Sequence, residues 1–207
     1  MQDNLRSICE RAMEEGLKID LAGCNYGKTT GPCAFLRRPT KYYHFLAGMV
    51  RSRGMTRILE IGTHFGGSIM SMERGLSDNK RPESKLVSVD IERKNEDGFK
   101  KYPRIKRITG DSLDEKTIKE VCGFFKRPID LVYIDSLHEY EHTKENMEIY
   151  AGRLNPRYVA IDDIRQCDSM RKLWAFVKEE HKDNAFDASD VTIREGAGFG
   201  VIRWRRP

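Results

Sequence analysis

Apolar residues recur along the chain with two different periods. Leu5, Ile8, Cys9, Ala12 and Met13 fall at helical spacing, with Gly16 as the stop. Tyr42, Phe45, Leu46, Met49 and Val50 repeat that pattern, and Gly54 ends it. Between them, residues 20–39 carry Gly23, Gly27, Gly31, Pro32 and Pro39 and read as a loop. After Gly54 short β-rich runs alternate with helical stretches. The runs are 57–61 (RILEI), 85–90 (KLVSVD), 105–109 (IKRIT), 129–135 (IDLVYID) and 158–162 (YVAID). Helices are expected near 67–76, 94–101, 113–126, 138–153 and 168–182. The alternation predicts right-handed crossovers and an α/β, doubly wound, Rossmann-like sheet, mostly parallel, with helices on both faces. Residues 191–194 and 199–204, separated by a glycine-rich turn, predict a C-terminal antiparallel hairpin. The expected organisation is an N-terminal helical extension or lid over 1–55 and an α/β domain over 56–207.

Composition narrows the class. The 207 residues suffice for one sizeable core, and 39% hydrophobic with 33% charged residues is a globular profile. No apolar run approaches the length of a membrane span, and the N-terminus lacks the apolar region of a signal peptide. Five cysteines, with no CxxC pair, argue against a disulfide scaffold or structural zinc, so a cytoplasmic protein is expected. The net charge of +5 permits an anionic partner without demanding one. Basic residues gather at 93–107 and at Arg203, Arg205 and Arg206, which suit solvated segments better than a nucleic-acid surface.

Chemistry collects at one rim. Ligands of open α/β sheets sit outside the carboxyl ends of the strands. Here all five runs end on or near an acid: Glu60, Asp90, Asp111, Asp135 and the pair Asp162–Asp163. Carboxylates repel one another, so such a rim suits hydroxyls, amines or a cation. In the first turn, Glu60-Ile-Gly-Thr-His-Phe-Gly-Gly-Ser68, Gly62 permits a tight exit, and Gly66 and Gly67 allow close backbone approach. The spacing is not the G-x-G-x-x-G of dinucleotide folds, and the acid before Gly62 suits a cofactor bearing an amine. Asp90 stands where ribose hydroxyls are gripped, and Asp111-Ser112 where an adenine amino group would lie.

In this order and spacing, EIGTHFGGS, VSVDIE, ITGDS and IDLVYID resemble the successive motifs of class I S-adenosylmethionine-dependent methyltransferases. The resemblance covers about residues 56–204. It implies that Glu60, Gly62, Thr63, His64, Gly66 and Ser68 hold the methionine part, Asp90 the ribose, and Asp111 with Ser112 the adenine, with Asp135 completing the cofactor set. Asp135-Ser-Leu-His138-Glu-Tyr140, followed by LNPRYVAIDDI, resembles the small-molecule O-methyltransferase branch that includes macrocin-type and cephalosporin-hydroxylase-like proteins. In its metal-dependent members the acids at the ends of the fourth and fifth strands hold a divalent cation; Asp135 and Asp163 match them, and Asp162 is adjacent. The sequence departs from its pattern at Ser136-Leu137 and Arg157-Tyr158.

Adjacent strands lie about 4.8 Å apart, so Asp135 and Asp162/Asp163 can converge into a hard oxygen site suited to Mg2+. Asp162 and Asp163 could instead cap the following helix or loop. His138 fits a general base that deprotonates an acceptor hydroxyl, with Asp135 as its catalytic partner. Ser136-Leu-His-Glu139 also reads as a capping box with His138 in the first helical turn. Gly27-Lys-Thr-Thr resembles the end of a P-loop, but Ala22 stands where the first glycine is needed. Residues 23–32 could form a mobile lid over the substrate, with Tyr42, Tyr43 and Phe45 part of it or packed in the core. The expectation is an O-methyltransferase of a small hydroxylated acceptor, with homo-oligomer formation open. A non-catalytic cofactor-binding module and a nucleic-acid methyltransferase are the alternatives, the latter weakened by the missing Asn/Asp-Pro-Pro-aromatic turn.

Overall fold

Runs of apolar and β-branched residues that can be buried on both faces pair in parallel, and five such runs build the centre of the structure. The structure is a computed structural model and describes residues 4–22, 24, 41–77, 83–126, 128–194 and 196–204. The strands are β1 (Arg57–Ile61), β2 (Lys85–Asp90), β3 (Ile105–Thr109), β4 (Leu131–Ile134), β5 (Tyr158–Asp162), β6 (Ala185–Asp187) and β7 (Phe199–Arg203). They form one seven-stranded sheet in the order β3-β2-β1-β4-β5-β7-β6. The β1–β5 pairings are parallel, and β7 is antiparallel to both β5 and β6. The order reverses between β1 and β4, where ligand clefts open in such sheets.

The helices are α1 (Leu5–Gly16), α2 (Tyr42–Arg53), α3 (Gly67–Ser77), α4 (Glu96–Phe99), α5 (Glu115–Phe125), α6 (Tyr140–Leu154), α7 (Asp168–His181) and α8 (Ser189–Thr192). Asn4 caps α1 by accepting from Ser7 N at 2.8 Å. Asp114 does the same for α5 through Lys116 N at 2.7 Å. Gly54 ends α2 in the left-handed conformation at φ 60°. On one sheet face Ile8, Phe45, Met49, Ile69, Ile58, Tyr133 and Phe199 join α1, α2 and α3 to the strands in a single apolar cluster. On the other, Val121, Tyr150 and Leu173 pack α5, α6 and α7 against Leu59, Val132 and Val159. Tyr42, Tyr43 and Phe45 are all buried.

Two sequence expectations change. Residues 191–194 are not a strand: on its outer side β7 pairs with β6, and eleven residues separate the two. Asp187 accepts from the backbone N and hydroxyl of Ser189, and Thr192 Oγ1 donates to Ala188 O at 3.0 Å, so 189–192 close into a helical turn. The capping box at Ser136–Glu139 does not form either. Glu139 precedes α6 without a side-chain cap, and Ser136 Oγ has no hydrogen-bond partner. His138 therefore lies in the connection before the helix. The P-loop-like segment and all of the supposed lid except Cys24 lie outside the described residues.

Candidate active site

The turn after β1 needs a residue without a side chain. Gly62 sits at φ 95°, and a Cβ there would stand 1.8 Å from Asp135 O. The ends of β1 and β4 therefore meet closely, and that contact joins two halves of one cavity. The cavity encloses about 760 Å³ along the carboxyl rim. Gly62, Thr63, His64, Gly67, Ser68, Asp90, Asp111, Ser112, Asp135, His138, Asp162 and Asp163 line it. Tyr42 and Tyr43 of α2, Ile91, Leu137, His142 and Arg194 complete the wall.

In the first half Asp90 shapes the turn. Its Oδ2 accepts from His64 N at 2.7 Å and its Oδ1 from Glu92 N at 3.0 Å. His64 adopts a left-handed φ of 46°, and burial followed by Lys94 lowers its pKa. Asp111 Oδ1 accepts from Leu113 N at 2.8 Å, and Ser112 O from the Tyr150 hydroxyl at 2.7 Å. Both residues border the cavity beyond β3. Part of the basic 93–107 stretch is engaged internally. Arg93 donates to Thr109 Oγ1 at 2.9 Å, and Arg107 pairs with Glu96 at 2.9 Å.

Glu60 and Gly66 fall outside the cavity lining. Alternation along β1 turns Glu60 with Ile58 toward α3. There its carboxyl is fully buried and accepts from the hydroxyls of Ser68 and Ser88. Ser88 Oγ in turn lies 2.6 Å from Thr63 Oγ1. Burial pushes Glu60 up to about 8, against the two hydroxyl hydrogen bonds. Glu60 thus braces the turn from behind. Gly66 faces the Phe99 ring, which a Cβ would meet at 2.2 Å.

The second half gathers acids and a histidine. His138 Nε2 lies 3.4 Å from Asp135 Oδ1 and 3.2 Å from Asp163 Oδ2, without an aligned hydrogen bond. One ligand atom from each of the three lies within 4.8 Å of the others. Asp135 raises the His138 pKa most, burial opposes it, and Asp163 adds to the rise. Asp163 follows β5 in a left-handed conformation at φ 57°, its N donating to Gly198 O at 3.1 Å. An aspartate tolerates that conformation, which turns its carboxylate toward His138.

Asp162 sits apart from that triad. Its oxygens accept from Arg194 Nε at 2.6 Å and Nη2 at 2.8 Å. Asp162 is nearly inaccessible, at 1% exposure. Burial raises the pKa of Asp162 and Asp163, Asp135 adds to that, and Arg194 works against it. The Tyr133 hydroxyl donates to Asp135 Oδ2 at 3.1 Å and Asp162 Oδ2 at 3.3 Å. Burial holds that phenol protonated, so it acts as a donor. The sequence reading missed Tyr133 and Arg194. Tyr133 was available from alternation, being two residues before Asp135 on the same strand face. Arg194 carried no local signal.

The fold and the rim together define a cofactor-binding α/β domain of the class I methyltransferase type. A family described as "Methyltransferase domain" matches residues 59–164, just over half of the chain, and the chain belongs to that family. No curated protein matches it. Among solved structures, the O-methyltransferase from Bacillus cereus in complex with SAH is 17% identical, with TM-score 0.60 over 98% of this chain and 92% of that one. TomG from Streptomyces achromogenes, an O-methyltransferase of tomaymycin synthesis in complex with SAM, is 18% identical, with TM-score 0.57 over 80% of each chain. MycE of the mycinamycin pathway, in complex with Mg, SAH and mycinamycin VI, is 17% identical, with TM-score 0.54 over 76% of this chain and 47% of that one. At these identities the likeness shows a shared fold. Among the described residues no helix is long and apolar enough to cross a membrane, and Cys9, Cys122 and Cys167 are free thiols.

Proposed function

We propose that this methyltransferase uses S-adenosylmethionine to methylate a hydroxyl of a small molecule, with help from a divalent cation. The observation that carries the proposal is the single cavity. It runs from the β1 turn, Asp90 and Asp111–Ser112 to Asp135, His138 and Asp163, so a cofactor and an acceptor can share it. The cofactor and O-methyl chemistry named for the fold neighbours agree with that reading.

When bound, the cofactor supplies an electrophilic methyl group on a sulfonium. The turn at Gly62–Ser68 would take its methionine part, Asp90 the ribose hydroxyls, and Asp111 with Ser112 the adenine. His138 accepts the proton of the acceptor hydroxyl at Nε2, and the carboxylates of Asp135 and Asp163 stabilise the imidazolium that forms. The Tyr133 hydroxyl holds Asp135 in place for this. Tyr42 and Tyr43 wall the cavity and hold the acceptor against the transferring group, where orientation contributes several kcal/mol to the barrier.

The donor set also fits a hard divalent cation, because Asp135 Oδ1 and Asp163 Oδ2 each keep an oxygen on the cavity side. Those two acids would hold the ion, whose charge would lower the pKa of the acceptor hydroxyl. Asp162, engaged by Arg194, takes no part in the ligand set.

Calorimetric titration of S-adenosylmethionine, with Mg2+ present, tests the proposal. A dissociation constant below roughly 100 μM, about −5.5 kcal/mol, is expected. No heat and no shift in melting temperature would overturn it.

A further inference from the structure

Arg194 lies between α8 and β7, with only 12% of its side chain exposed. Its backbone is fixed on both sides: Arg194 N donates to Ser189 O at 2.8 Å, and Gly198 N donates to Arg194 O at 2.6 Å. The Tyr42 ring covers the guanidinium, with Cζ 4.2 Å from the ring centroid. Nε and Nη2 grip the two oxygens of Asp162, and Nη2 also reaches Asp163 Oδ1. Asp162 Oδ1 further accepts from Asp163 N at 2.9 Å, and Oδ2 from Tyr133. Neither Asp162 oxygen is left for a ligand. The remaining Asp163 oxygen and Asp135 Oδ1 are the ones that face His138.

We propose that Arg194 is a positioning residue and the site's built-in cation. It withdraws Asp162 from the ligand side and leaves one oxygen each of Asp135 and Asp163 beside His138. The inference rests on the reading of this rim as a cation-assisted acceptor site. A guanidinium does not lose its proton in a protein, so its charge is permanent. Three carboxylates against one guanidinium leave two negative charges at the rim. Without Arg194 there are three, while Asp162 keeps its bonds from Asp163 N and the Tyr133 hydroxyl. Attraction for a divalent ion then rises through charge. Arg194 therefore limits how tightly the rim holds a metal while keeping Asp163 aimed.

The test is Mn2+ binding to the full chain, read by loss of the free-ion electron paramagnetic resonance signal. Mn2+ takes the same carboxylate oxygen donors as the proposed ion. R194Q is expected to bind Mn2+ at least about tenfold more tightly than the wild type. R194K keeps the charge but loses the two-point grip on Asp162, so its affinity should fall between those of the wild type and R194Q. The double variant D162N/R194Q returns the rim to two charges and removes the buried Asp162 carboxylate, so it should recover wild-type affinity. The proposal is overturned if folded R194Q binds Mn2+ no better than the wild type. It is equally overturned if D162N/R194Q loses about tenfold or more, which would make Asp162 a ligand. The double variant decides the matter even if R194Q fails to fold. S-adenosylmethionine titration of the wild type stays a separate reading: failure with Mn2+ alone removes the Arg194 assignment, and absence of cofactor heat removes the broader function.

Discussion

Replacing Glu60 by glutamine keeps the shape of a fully buried side chain and removes its ability to ionise. In the folded protein burial holds the Glu60 proton up to about pH 8, against an ordinary value of 4.5. The unfolded chain releases that proton near 4.5, so between the two values the folded state binds one proton more. The associated stability is complete below pH 4.5, declines as the pH rises and is gone above about 8. Each pH step across this window costs about 1.4 kcal/mol, roughly 5 kcal/mol in all. E60Q lacks that slope. Urea unfolding of both proteins at several pH values from 5 to 9 reads the difference, in which the other titrating groups cancel. The E60Q curve should gain on the wild type by several kcal/mol between pH 5 and 8. Two curves that run parallel would refute the buried, protonated carboxyl. The same variant probes the location of Glu60 behind the turn. Cofactor affinity should stay within about threefold, whereas a loss near a hundredfold would mean that Glu60 touches the ligand.

Three further outcomes are expected. D90N weakens the acceptor of His64 N at the cavity edge and should cut S-adenosylmethionine affinity about tenfold to a hundredfold by calorimetry; unchanged affinity would remove Asp90 from the cofactor set. H138A should lower kcat by about 10² to 10⁴, on an acceptor found by hydroxyl screening, with cofactor affinity intact; a loss below about threefold would exclude it as the base. G62A forces a Cβ to within 1.8 Å of Asp135 O at a left-handed φ, and should cost about 3 kcal/mol or more, a Tm fall of about 6 °C or more. A Tm within about 2 °C of the wild type would contradict the close approach of β1 and β4.

The parallel core was legible because its strands are short apolar runs bounded by turn residues. The runs at 57–61, 85–90, 105–109 and 158–162 match β1, β2, β3 and β5 at both ends. The run at 129–135 overshoots β4, since Asp135 has already left the ladder to face the cavity. The last part was harder. β6 is a three-residue strand with no buried face, too short to show alternation, while Val191 and Ile193 imitate a strand inside a helical turn. At the site, sequence order gave the acids but not their directions. Glu60 and Asp90 end neighbouring strands, yet one carboxyl is sealed behind the turn and the other borders the cavity. Asp162 and Asp163 are adjacent, and only a residue more than thirty positions away separates their roles. That separation comes from an ion pair made by tertiary packing, which no local spacing records.

The strand order carries a consequence for how the site comes into being. β7 lies between β5 and β6, so β6 has no neighbour in the sheet until β7, which follows it in sequence, has slid into place. Arg194 sits just before that strand, and its bond to Asp162 forms only when β7 docks. A nascent chain can pair β1 to β5 while its acidic rim still lacks the internal counter-charge. Docking of β7 would close the sheet and supply that counter-charge in the same event.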